Sequence, residues 1–67
     1  MNALEIGNLI RITTEINYAY NNLNKGSVGL VYDANEDKTR YAILLNDGTK
    51  GEITRQDLEQ NRIDILG

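Results

Sequence analysis

Sixty-seven residues without a single Cys or His leave room for one small core, and they exclude disulfide staples, zinc and iron–sulfur sites and every thiol- or imidazole-based catalytic group. Ten acidic against seven basic side chains give a formal net charge of −3. That is the wrong sign for a phosphate-binding surface, so weak non-specific nucleic-acid affinity is expected. The longest apolar run, Ala42 to Leu45, falls far short of the roughly 20 residues that cross a bilayer. With no basic start followed by an apolar stretch, a cytoplasmic protein without a membrane span is expected.

Strand signals dominate the chain. Asn8 to Thr14 alternates polar and apolar residues with β-branched Ile and Thr, which predicts a first strand with Ile10 and Ile12 inward and Leu9 outward. Glu15 to Lys25 holds Asn17, Asn21, Asn22 and Asn24 and little periodicity, so it reads as a long loop of Asn-backbone turns. Gly26 to Tyr32 is the second strand; Val28 and Val31 share a face only if a bulge intervenes, and Gly29 is the expected place for it.

The polar stretch Asp33 to Lys38 is too short for a crossover helix and predicts a hairpin into Thr39 to Leu45, with Tyr41, Ile43 and Leu45 inward. Asn46-Asp47-Gly48 is a tight turn with Gly48 in the left-handed position, leading to a fourth strand from Thr49 to Ile53. Thr54 three residues before Asp57 is a weakened capping box, which predicts one short helical or 3₁₀ turn over Thr54 to Gln60, with Leu58 plugging the interior. Arg62 to Leu66 resumes alternation as a last strand.

The fold class is therefore all-β: five short strands bent into a small barrel, with a short 3₁₀ turn before the last strand, as one domain over residues 1–67. Closure hides edges that a flat meander leaves open. The expected core is Ile6, Ile10, Ile12, Val28, Val31, Tyr41, Ile43, Leu45, Ile53, Leu58 and Ile63.

No catalytic residue, cofactor or metal site is assigned. Asp33, Glu36 and Asp37 crowd one hairpin, but a calcium site takes six to eight oxygens and the EF-hand spacing is absent. Glu52 and Asp57 lack an accompanying nucleophile or phosphate loop, and a surface role is expected for both. Arg11, Lys38, Arg40, Lys50 and Arg55 are candidates for a local basic strip. The residues best suited to contact are Tyr18 and Tyr20 as apolar anchors, Asn21 and Asn22 as adaptable hydrogen-bonding groups, and Tyr32 if the strand ends converge.

The spacing Ile6-Gly7-x-x-Ile10-Arg11-Ile12, a long loop, Lys25-Gly26-Ser27-Val28-Gly29-Leu30-Val31, then Tyr41-x-Ile43-x-Leu45-x-Asp47-Gly48 resembles SH3-like barrels of bacterial and phage type over residues 6–65. Gly26 to Gly29 followed by Leu30-Val31 is similar to the KOW barrels, a resemblance that implies RNA or polymerase contact. Ile10-Arg11-Ile12, Tyr18-Ala19-Tyr20-Asn21 and Val28-Gly29-Leu30-Val31 look like the electron-transport accessory barrels, such as the photosystem I peripheral subunit, which implies docking on larger complexes without a cofactor. With neither Trp nor Pro, a groove for proline-rich ligands is not expected. The resulting expectation is a non-catalytic protein-interaction module that docks on a larger protein through the Glu15–Lys25 loop. The alternatives are a KOW-like nucleic-acid binder and a phage or mobile-element inhibitor of a host enzyme.

Overall fold

A computed structural model describes residues 4–18 and 21–67 of the chain. Seven strands and one short helix follow in the order β1 (Leu9–Ile12), β2 (Ile16–Tyr18), β3 (Asn21–Leu23), β4 (Val28–Ala34), β5 (Arg40–Leu45), β6 (Lys50–Thr54), α1 (Arg55–Glu59) and β7 (Ile63–Ile65). Five of the strands form one antiparallel sheet in the order β6-β5-β4-β1-β7, while β2 and β3 pair as a separate two-stranded ribbon. The sheet curls into a half-barrel with β6 and β7 as its two edges. Between those edges the chain runs through α1, which packs on both β6 and β7.

Period-two alternation places the core as expected along most strands. Ile10 and Ile12 on β1, Val31 on β4, Tyr41, Ile43 and Leu45 on β5, Ile53 on β6 and Ile63 on β7 are all buried, with Leu58 of α1 packed partly against them. Two expected core residues lie outside the core cluster. Ile6 is 62% exposed, because residues 5–8 form a tight turn in which the Asn8 side chain accepts from the Glu5 N–H (2.7 Å) and the Asn8 N–H donates to the Glu5 carbonyl (3.1 Å). Gly7 at φ +101° supplies the left-handed residue of that turn. The reversal points Ile6 outward and carries Leu4 into the core instead. Val28 is only half-buried, since Gly29 is the inward residue at that point of β4.

The bulge in β4 falls later than its glycine suggests. Val31 and Asp33 oppose Ile43 and Ala42, so Tyr32 is the extra residue. Gly29 serves a different need: a Cβ there would lie 3.3 Å from both the Leu44 carbonyl oxygen and Leu45 Cδ2, so the close approach of β5 requires glycine.

The Glu15–Lys25 segment is a hairpin rather than a loop. Ile16 opposes Leu23 in register, both are buried, and both join the core cluster. One apolar side chain per strand is enough to anchor so short a ribbon, which is why its Asn-rich sequence hides it. The Asn46–Gly48 turn forms as expected, with Gly48 at φ +90° and its N–H bonded to the Leu45 carbonyl at 2.9 Å. In the other hairpin the left-handed position falls to Lys38, at φ +57°.

The turn before β7 is α-helical over Arg55–Glu59, its end set by the Gln60 N–H donating to the Gln56 carbonyl at 2.9 Å. Asn61 then adopts φ +59°. Its N–H bonds to the Leu58 carbonyl (3.1 Å) and that of Arg62 to the Asp57 carbonyl (2.9 Å), a complete Schellman motif that turns the chain into β7.

Candidate interaction surface

The outer face of the half-barrel carries a feature that only the strand pairing assembles. On β1, β4 and β5 the residues Leu9, Leu30 and Leu44 stand directly opposite one another, Leu9 with Leu30 and Leu30 with Leu44. The register of β1 with β7 brings Leu66 beside Leu9, where the Leu66 N–H donates to the Leu9 carbonyl at 2.7 Å. The register of β5 with β6 places Lys50 beside Leu44. The result is one cross-strand row, Leu66–Leu9–Leu30–Leu44–Lys50. Its four leucines are 46%, 45%, 38% and 40% exposed. They span about 14 Å at the usual strand spacing and expose roughly 300 Å² of apolar surface, the size of the largest patch on a typical monomer and often a functional one.

Tyr32, two residues along β4 from Leu30 and 42% exposed, extends the row. Its position as the bulged residue turns it out of the ladder, and Lys50 Nζ lies 5.9 Å from its ring centroid in a cation–π arrangement. Of the five contact residues nominated by sequence, Tyr32 is thus placed on this surface. Asn22 is exposed on β3 of the separate ribbon. The side chains of Tyr18 and Asn21, and all of Tyr20, lie outside the described residues.

Besides Lys50, five charged side chains share the outer face with the row. Arg11 stands opposite Asp64 on one side. Asp33, Ala42 and Glu52 form the next cross-strand line on the other, with Arg40 two residues before Ala42. Ala42 is the small residue here, and over it lies an open hollow of about 410 Å³ lined by Asp33, Ala34, Asn35, Arg40, Tyr41, Ala42 and Glu52. Its lining offers carboxylates, an amide and a guanidinium without a paired nucleophile and base.

The expected basic strip does not form. Lys38 pairs with Glu5 at 2.7 Å, and that hydrogen bond holds its ammonium above the usual lysine range. The Arg55 guanidinium donates to the carbonyls of Asp37 (2.9 Å) and Lys38 (3.3 Å), fastening the start of α1 to the β4–β5 turn. The acidic hairpin is also organised internally: Asp33 accepts from the Ala34 N–H (2.9 Å) and Asp37 from the Thr39 hydroxyl (2.8 Å). Asp47 and Thr49 repeat the Asp37–Thr39 contact in the other turn, hydroxyl to carboxylate at 2.6 Å. In each case the threonine hydroxyl donating to the carboxylate holds the aspartate below its usual range.

Asp57 departs most from its expected surface role. It is fully buried, accepts from the Thr54 N–H (2.8 Å) and hydroxyl (3.1 Å), and pairs with Arg62 Nε at 2.8 Å. The Asp57 N–H in turn donates to the Thr54 hydroxyl at 3.2 Å, so the capping box is complete. This carboxylate therefore joins β6, α1 and the approach to β7. Among the described residues no group of three or more acidic side chains is placed to hold a metal ion, and no helix is long and apolar enough to cross a membrane.

Comparison with protein-family models, with curated proteins and with solved structures returns no match.

Proposed function

We propose that this chain is a non-catalytic protein-interaction module whose contact face is the leucine row on the outside of the half-barrel. The observation that carries the reading is the alignment of Leu9, Leu30 and Leu44 across three neighbouring strands with Leu66, just past the end of β7, beside Leu9, all exposed. Scattered surface leucines need no explanation, but a contiguous apolar row with a polar border has the anatomy of an interface: apolar centre, charged rim and an aromatic side chain beside it.

The SH3-like assignment belongs to the same proposal. It is supported by the strand order β6-β5-β4-β1-β7, by the hairpin between β1 and β4, and by the helical turn before β7. The neutral balance of the row's border gives the KOW-like nucleic-acid alternative no basic stripe to work with.

A Leu30→Ser/Leu44→Ser double variant tests the reading. Both side chains are substantially exposed, so folding is expected to survive while recovery of a specific protein partner falls at least about tenfold. Undiminished recovery by a folded double variant would remove the row as the contact face. The Glu15–Lys25 hairpin is retained as a second contact, favoured by the buried Ile16 and Leu23 anchors that hold exposed Asn17 and Asn22 in place. A Tyr18→Ala/Tyr20→Ala variant with full recovery would discard it.

A further inference from the structure

We infer that the occupant of the leucine row is a second copy of this chain, and that the molecule self-associates reversibly through the outer faces of β1, β4 and β5. The inference rests on the row being a contact face and names what covers it.

Charge selects the partner. The charged strand side chains of this outer face are Arg11, Arg40 and Lys50 against Asp33, Glu52 and Asp64, three positive and three negative, so the face is neutral. The chain as a whole carries −3, and that excess therefore lies off this face. A strongly basic or acidic partner finds no complementary field here. A two-fold contact needs the same patch to meet itself without like-charge repulsion, and a neutral face with alternating signs meets that condition.

The row is also close to symmetric about its middle. A two-fold axis between Leu9 and Leu30 sets Leu30 against Leu9 of the other copy and Leu44 against its Leu66. Leucine then meets leucine along the whole row, and Lys50 of each copy passes the far end, near the β7 strand that carries Asp64.

Area sets the strength. A standard interface buries about 800 Å² per partner, nearly a fifth of the 4433 Å² of this chain. The leucines supply roughly 300 Å², and Tyr32, Val28 and the stems of Arg11 and Lys50 bring the total to roughly 500 Å², the low end associated with transient contacts. The convex curl of the sheet limits it further. Half-association is expected between about 10 μM and 1 mM.

Sedimentation velocity on the whole chain across about 10 μM to 1 mM reads this directly, with the weight-average mass rising toward that of a dimer. Leu30→Ser and Leu9→Ser are each expected to raise the dissociation constant at least about tenfold. Ile6→Ser, exposed but off the row, is expected to leave it unchanged, and salt between about 50 and 500 mM should alter it less than about threefold. A monomer at every concentration, or association insensitive to both leucine substitutions, would overturn the inference. A monomeric chain whose partner recovery is still lost on Leu30→Ser/Leu44→Ser would mean that the row is a contact face for a different protein. In that event the function proposed above survives and the self-association does not.

Discussion

Asp57 is the one buried charged side chain among the described residues, and replacing it is expected to destabilise the fold strongly. Its carboxylate is fully buried and accepts from the Thr54 backbone and hydroxyl and from Arg62 Nε, all within 3.1 Å. Asp57→Ala strips the capping box of its acid, a loss of about 1 kcal/mol, and deletes a hydrogen-bonded ion pair of about 2 kcal/mol. Because the Arg62 side chain is 31% exposed, it can swing into water, which keeps the total near 3 kcal/mol, the lower edge of what breaking a buried pair costs. A 67-residue chain has roughly 3–10 kcal/mol of total stability, so the variant is expected to be partly unfolded or close to it at 37 °C. Asp57→Asn keeps an acceptor for Thr54 but turns an N–H toward Arg62, and about 1.5–2 kcal/mol is expected. Arg62→Met leaves the carboxylate without its cation, and in the double variant Asp57→Asn/Arg62→Met the two losses should fall short of additivity by about 1 kcal/mol. Urea unfolding followed by far-ultraviolet circular dichroism measures all four. A loss below about 1 kcal/mol for Asp57→Ala, or strict additivity in the double variant, would refute the assignment of Asp57 and Arg62 as a coupled structural pair.

Three further outcomes follow from the same geometry. Gly29→Ala places a methyl 3.3 Å from the Leu44 carbonyl and Leu45 Cδ2, so a loss of about 1–2 kcal/mol in urea is expected, and a neutral result would show that β4 and β5 are not so closely apposed there. Asn61→Gly relieves a left-handed residue at φ +59° and should raise the urea-derived stability by a few tenths to about 1 kcal/mol, whereas destabilisation would argue against the Schellman geometry. Asp37 and Asp47 are held below the usual carboxylate range by Thr39 and Thr49. Their contribution is therefore full above the unfolded carboxylate pKa of about 3.9 and is lost as pH falls through the lower folded values. Carboxyl-carbon NMR titration should place both below about 3.9, Asp37→Asn/Asp47→Asn should flatten the acid limb of the stability curve, and unshifted titrations would contradict the turn geometry.

Where local pattern and tertiary need coincide, the sequence is legible. The alternation Tyr41-Ile43-Leu45 and the pair Ile10-Ile12 name their own inward face, and Asn46-Asp47-Gly48 names its turn. The failures share a different cause: the deciding partner lies far along the chain or in a side chain outside the periodic pattern. Ile6 has the composition of a core residue, yet the Asn8 side chain sets a turn that exposes it and buries Leu4. Ile16 and Leu23 meet only because β2 and β3 pair, and the asparagines between them read as turn chemistry. Thr54-x-x-Asp57 is visible as a cap, but the ion pair that makes Asp57 indispensable needs Arg62 to return after a left-handed Asn61.

The leucine row is the least visible feature of all. Leu9 can be recognised as outward from its own strand. That Leu66, Leu30 and Leu44 stand in line with it depends on three separate registers, between β1 and β7, β1 and β4, and β4 and β5, none of which a single segment encodes. Tyr32 could be nominated as an exposed aromatic residue, but its place beside the row comes from a bulge after Val31 that the glycine at 29 does not announce.

Solvent paramagnetic relaxation of assigned leucine methyl groups, recorded below the concentration of self-association, probes the exposed row most directly. Strong broadening is expected together at Leu9, Leu30, Leu44 and Leu66, with Leu4 and Leu23 protected. Protection of Leu30 or Leu44, or broadening of Leu4 and Leu23 to the same degree, would contradict the register that builds the face and with it the function placed there.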